Sequence, residues 1–209
     1  MTVDGGTGRV NQKLRTRNAI IAAATELSRT GREVTMPEVA RAALVSEATA
    51  YRYFPDLASL LREAMTGQLP TAAEALAPVT GKDDPVARVA AVTEFLLRHV
   101  LARQGVVRAL IAATIAKPDQ ARVRPGLRFG LIDTALAPLE ETLGVTGPRE
   151  LAQLKRDLAV VVSAEALFSL TDLEGLDPEQ AIASIVHTAT TLTRAAVGDG
   201  VTGGRSGPT

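Results

Sequence analysis

Apolar positions along the chain recur at helical spacing and nowhere alternate as they would in a strand. Ile20, Ala23, Ala24 and Leu27 give one apolar face to a first helix over about 10–30, and Gly31 follows as its C-terminal stop. Thr35-Met-Pro-Glu38 has the form of a capping box and opens a short second helix that ends near Ala43. Ser46 caps a third short helix, which Pro55 stops. Asp56 caps a fourth, with Leu57, Leu60, Leu61 and Ala64 on one side and a bend or split at Pro70. Longer helices are predicted over 83–103, 104–116, about 125–143, 148–175 and 177–197, with a loop over 117–126. The predicted fold is all-α: a three-helix head with a helix-turn-helix, then a larger helical body, about nine helices in all. Residues 1–9 are expected as a flexible arm, 10–56 as the head, 57–197 as the body and 198–209 as a loose tail.

Composition narrows the chemistry. Of the 209 residues, 46% are hydrophobic and only 3% aromatic, so the core must be built from Ala, Val, Leu and Ile. The 23 basic and 23 acidic residues cancel, which argues against a wholly basic coat protein but leaves room for a local basic patch. There is no cysteine, so disulfides, thiolate metal sites and cysteine nucleophiles are excluded. His99 and His187 lie far apart and belong to no ligand-spaced cluster; neither a metal nor a cofactor is expected, and no nucleophile or phosphate-loop motif supports an enzyme. The longest apolar stretch, 158–168, is short and interrupted by Glu165, so a cytoplasmic protein without a membrane span is expected.

Both tyrosines of this aromatic-poor chain stand at 51 and 53, on either side of Arg52. Tyrosine fills cores, but here it lies on the second helix of a helix-turn-helix, short enough for a major groove about 12 Å wide. Glu47, Ala48, Thr49, Tyr51 and Arg52 are predicted to face outward, with Val45, Ala50 and Phe54 turned to the core. Thr49, Tyr51, Arg52 and Tyr53 then offer donors to phosphate oxygens. Glu47 would either accept from a cytosine amine or cap the helix. Arg9, Lys13, Arg15 and Arg17 precede this motif and are read as phosphate or minor-groove contacts, with an ordinary solvated face as the alternative. Residues 1–66 hold nine Lys/Arg and seven Asp/Glu, so affinity must come from local placement and from pairing of two heads.

The span Arg17–Leu61 resembles the DNA-binding head of the TetR (tetracycline-repressor) family of bacterial transcriptional regulators. The resemblance is carried by Ala19 through Leu27, Gly31, Val34-Thr35, Val39-Ala40, Ala43, Val45-Ser46, Thr49, Tyr51, Tyr53-Phe54 and Leu60-Leu61. It implies a homodimeric regulator, a repressor as a rule, that leaves a palindromic operator in double-stranded DNA when a small-molecule effector binds. Thr35 joins the DNA-binding set on this ground. Four positions depart from the family pattern: Leu44 stands where glycine is usual in the turn, Leu57 where lysine commonly meets phosphate, and Met36 and Pro37 where polar residues are frequent.

In the body, the helices over 148–175 and 177–197 carry wide apolar stripes. Leu151, Leu154, Leu158, Ile182, Ile185, Val186, Ala189 and Thr193 are taken as a dimer face, because the resemblance implies a four-helix interface there. Polar and aromatic residues within apolar runs are candidates for an effector pocket: Phe95, Leu96, His99, Arg103, Thr114, Phe129, Asp133, Glu165 and Phe168. A buried Glu165 would need a partner, either Arg103 or another arginine or the effector itself. The competing function class is a helical protein–protein interaction module that does not bind DNA.

Overall fold

In the first unit, Gly5–Ser28 forms α1, Met36–Ala42 α2, Glu47–Tyr53 α3, Leu57–Met65 α4 and Gln104–Ala116 α7. The computed structural model describes residues 5–66, 69–116, 126–143 and 147–202, without the side chains of 5–9, 141–143 and 199–202. The helical face of α1 buries Ile20 and Ala24 against α4, and α2 and α3 pack on one another beneath it. Val34, Met36, Val39, Ala40, Ala50, Phe54, Leu60, Leu61, Ala64 and Met65 complete this core, which Val106 and Leu110 of α7 join. Each fully buried Leu or Ile here is worth about 1.5–3 kcal/mol of transfer free energy. The core therefore draws on Val106 and Leu110, 53 and 57 positions past the last residue of α3, and the first unit extends beyond the residue 56 expected from the sequence. The expected arm is also shorter: α1 is already helical at Gly5, and residues 1–4 lie outside the described residues.

A close approach fixes α7. A Cβ on Gly105 would stand 1.8 Å from the Arg32 carbonyl oxygen and 2.8 Å from the Glu33 nitrogen, so only glycine fits where α7 meets the loop before α2.

The second unit holds α5 (Ala72–Leu76), α6 (Pro85–Ala102, through residue 101), α8 (Leu127–Leu143), α9 (Pro148–Val161), α10 (Ala164–Asp172) and α11 (Pro178–Thr202). The described residues thus contain eleven α-helices, a short 3-10 turn at Ala77–Val79 and no strand. Of the bend or split expected at Pro70, the chain takes the split. Met65 ends α4, and Thr71 starts α5 with a capping box, its backbone N–H donating to Glu74 at 2.6 Å. The single helix predicted over 148–175 is also split. Val162 (φ −80°, ψ 71°) forms an inverse γ-turn in which the Ser163 N–H donates to the Val161 carbonyl at 2.9 Å. Ser163 then caps α10 by accepting from the Ala166 N–H at 3.1 Å. The predicted tail from 198 is helical to Thr202, and 203–209 lie outside the described residues, as do 117–125 of the predicted loop.

Pro138 inside α8 supplies no N–H to the carbonyl four residues earlier, that of Thr134. Arg88 of α6 fills the gap: Nη2 donates to Thr134 O at 2.8 Å and Nε to Ala135 O at 3.0 Å. A second arginine of α6, Arg98, grips Glu179 of α11 with both terminal nitrogens, at 2.8 and 2.9 Å. That fork, then Glu94, raises the Arg98 pKa, and Arg98 in turn lowers that of Glu179.

Candidate nucleic-acid interface

The helix-turn-helix is built from three local hydrogen-bond motifs. Thr35 is extended (φ −121°, ψ 154°); its hydroxyl accepts from the Glu38 N–H and donates to the Glu38 carboxylate, which also accepts from the Thr35 N–H. The Thr35 hydroxyl first, then its N–H, holds the Glu38 carboxyl below the usual carboxylate range. At the other end of α2 the Val45 N–H bonds to Ala40 O at 2.9 Å and the Leu44 N–H to Arg41 O at 3.2 Å. These are the two bonds of a Schellman motif, whose C′ residue must be left-handed. Here that residue is Leu44, at φ 55° and 93% exposed. The glycine expected from the resemblance is thus replaced by leucine with the turn intact, at a strain of about 1–2 kcal/mol. Ser46 then caps α3, its Oγ accepting from the Thr49 N–H at 3.2 Å and donating to Thr49 Oγ1 at 3.0 Å.

This frame turns α3 outward along one side. Ala50 is fully buried and Phe54 nearly so, while Glu47, Ala48, Tyr51 and Arg52 are exposed and Thr49 is half-buried. Tyr53 differs from exposed Tyr51 in being half-buried. It packs against the head core, with the Arg52 guanidinium 5.7 Å from its ring centre. Between α1 and α3 lies a groove of about 680 Å³ lined by Gln12, Lys13, Thr16, Ser46, Thr49 and Arg52 among others, so Lys13 and Arg52 bring two positive charges to one cleft.

The remaining basic residues divide. Arg15 is exposed, with Nε bonded to the Asn11 carbonyl. Arg9 lies on α1, and its side chain is outside the described residues. Arg17 is engaged within the fold: it pairs with Glu63 of α4 and lies 5.3 Å from the Phe54 ring centre, which fastens α1 to the end of α3. The Thr35 hydroxyl is committed to its capping box. Met36, 3% exposed, and half-buried Leu57 pack in and against the head core, which accounts for apolar residues where polar ones are frequent.

The expected dimer face is corrected. Leu151, Leu154, Leu158, Ile182, Ile185, Ala189 and Thr193 are all buried within one chain, because α9 and α11 pack their apolar stripes on each other; Val186 alone of the set is partly open. The pocket candidates are divided between the two units. Arg103 and Thr114 belong to the first unit; Phe95, Leu96, His99, Phe129, Asp133, Glu165 and Phe168 belong to the second. Asp133 is an exposed partner of Lys155, at 2.9 Å. Burial works against the Lys155 charge, but Glu140 and then Asp133 outweigh it and raise its pKa. Glu165 pairs with Arg128 of α8, at 3.4 Å, a residue that sequence reasoning did not single out. Among the described residues no helix is long and apolar enough to cross a membrane, and no cluster of three His, Asp or Glu side chains is placed to hold a metal.

Residues 20–64 match the family described as bacterial regulatory proteins, tetR family. That span runs from the first buried residue of α1 to the end of the α4 core face. No curated protein matches the sequence. Among solved structures, a TetR transcriptional regulator from Rhodococcus sp. RHA1 is similar in fold: TM-score 0.50 and 24% identity, covering 86% of this chain and 96% of that one. The capped helix-turn-helix and the α1–α4 core that carries it are thus the part of the chain that matches the tetR family of bacterial regulatory proteins.

Proposed function

We propose that the chain is a homodimeric repressor that reads a palindromic operator with α3 and leaves it when a small molecule binds the body. The observation that carries this is the outer side of α3. Glu47, Ala48, Tyr51 and Arg52 are exposed on a capped helix of seven residues whose core contacts are made by buried Ala50 and half-buried Tyr53. A helix held so firmly at its caps, with a polar face left to solvent, suits the major groove. Tyr51 and Arg52 reach phosphate or base edges; Ala48 allows close approach; Glu47 accepts from a cytosine amine. Lys13, with Thr49, meets the phosphate backbone at the groove beside α3, and Arg15 adds charge one turn of helix away. Tyr53 acts by holding Arg52 in place. Arg9 belongs to the same basic run. The dimer is assigned to the outward sides of α10 and α11, Val186 included. Effector binding biases the equilibrium between head spacings that do and do not match successive grooves.

The test is a mobility-shift titration on duplexes selected from random sequence. The Tyr51→Phe/Arg52→Ala variant should bind at least about tenfold more weakly, with a shallower dependence on salt. Its thermal unfolding should be unchanged. A wild-type protein that retains no duplex, or a variant that binds as well as wild type, overturns the assignment.

A further inference from the structure

Tyr53 lines two clefts of the first unit. One is the groove of about 680 Å³ that holds Lys13 and Arg52. The other, of about 370 Å³, lies at the C-terminal end of α3 and is lined by Arg17, Tyr53, Ser59, Arg62, Glu63 and Thr66 among others. The polar groups of this second cleft fall into two sets. Arg17 and Glu63 are paired with each other. The Ser59 hydroxyl donates to the Asp56 carbonyl at 2.8 Å, and the Thr66 hydroxyl to the Arg62 carbonyl at 3.1 Å. Each of these groups has committed its charge or its proton inside the fold. Arg62 and Tyr53 have not. Both are half-buried. Among the described residues the Arg62 guanidinium makes no ion pair or hydrogen bond, and the Tyr53 hydroxyl makes no hydrogen bond.

The chemistry that fits follows from this remainder. Of the charged residues lining the cleft, Arg17 and Glu63 cancel and Arg62 is left over, beside a neutral phenol. A guanidinium presents its donors as a planar fork, which matches two oxygens of a phosphate. A free anion would meet one partly hydrated charge and lose all its translational freedom on binding. A phosphate of a duplex already held by α3 has lost that freedom, so a single charge-assisted contact is enough to seat it. The position agrees, because Tyr53 is the wall that this cleft shares with the groove of Lys13 and Arg52.

We infer that Arg62, with the Tyr53 hydroxyl, seats a second DNA backbone phosphate in this cleft, apart from the one that Lys13 meets beside α3. The inference rests on the operator-reading function proposed above and adds to it a contact supplied by α4.

The test is a phosphate walk with the full chain on duplexes selected from random sequence. Uncharged methylphosphonate replaces the backbone phosphates of one half-site one at a time, and binding is followed by mobility shift over a range of salt. Arg62→Met should weaken every selected duplex by a similar factor and lower the salt slope by about 0.9 for each head bound, the loss of one phosphate contact. Arg62→Lys should keep the slope. At one phosphate, neutralisation should weaken wild type and leave Arg62→Met indifferent, with Tyr53→Phe partly indifferent at the same place. Lys13→Met should be indifferent at a different phosphate. A general fold defect lowers affinity at all positions alike and singles out none; if Arg62→Met does not fold, Arg62→Gln carries the walk. An unchanged slope, a walk in which the Arg62 variant responds everywhere as wild type does, or one phosphate answering to both Lys13 and Arg62 overturns the second seat while operator reading stands. Saturable calorimetric binding of inorganic phosphate that Arg62→Met abolishes gives the cleft to a free anion and overturns the seat as well. A wild-type protein that retains no duplex takes down the seat and operator reading together.

Discussion

The outer side of α3 and the facing sides of α9 and α11 use similar helical periodicity to opposite ends. On α3 only Ala50 is fully buried, with Tyr53 packed beside it, and the exposed charge and hydroxyl of Arg52 and Tyr51 do nothing for the fold. On α9 and α11 nearly the whole apolar stripe is buried inside the chain, down to Leu158, Ala189 and Thr193 at 0% exposure. The arginines divide in the same way. Arg88 completes the backbone of a proline-interrupted helix, whereas Arg52 is exposed and touches its own helix neighbour. A residue's pattern position says whether it will be covered; it does not say what covers it.

That contrast can be broken or sharpened in four steps. Leu158→Ala should cost about 2–5 kcal/mol of unfolding free energy, read from chemical denaturation followed by circular dichroism, because it opens a cavity at a fully buried position. A change within about 0.5 kcal/mol, as expected for an exposed residue, would return Leu158 to the dimer face. Next, Arg88→Met should cost about 1.5–3 kcal/mol in the same assay, since it keeps the aliphatic stem and strips donors from three carbonyls, those of Lys82, Thr134 and Ala135. Arg88→Lys, with one nitrogen for three oxygens, should fall between. Third, Ser163→Ala should cost about 1 kcal/mol by removing the cap that separates α10 from α9. An unchanged melting temperature would mean that the γ-turn at Val162 alone breaks the helix.

The smallest effect has the opposite sign. Leu44→Gly should stabilise the head by up to about 1 kcal/mol, because the left-handed strain removed exceeds the backbone entropy that glycine adds. Leu44→Val should destabilise it, since a β-branched residue tolerates that region worse. Thermal denaturation of the pair settles the order, and a glycine variant less stable than wild type would show that the exposed leucine makes a contact in solution.

The head was legible because its signals are local. Thr35 with Glu38, Ser46 before a short helix, and Asp56 after Pro55 each satisfy the first turn of the helix they open, within three residues. The capping box at Thr71 and Glu74 was equally local, and it opens a new helix just past Pro70, where a bend or split was expected. The break at Val162–Ser163 was hidden because three valines continue the apolar stripe across it, and the turn depends on backbone angles that the pattern does not record. Long-range partners left no trace. Arg17 finds Glu63 46 residues away, and Arg128 finds Glu165 37 residues away. A lone basic residue looks the same in sequence whether it will meet a phosphate, a ring or a carboxylate. The misassigned dimer stripe fails for the same reason, since two amphipathic helices of one chain and two of different chains show identical spacing.

The seat of Gly105 against the Arg32–Glu33 backbone has a consequence for anyone building hybrid regulators. The unit that carries the helix-turn-helix is not one continuous stretch. A transplant cut after α4 would leave behind Val106 and Leu110, and with them the wall of its own interior. A recipient helix offered in their place would have to present a bare methylene at one position, since any side chain there would collide with the loop leading into α2. A workable donor segment must therefore bring its α7 along, or borrow one with glycine in that register.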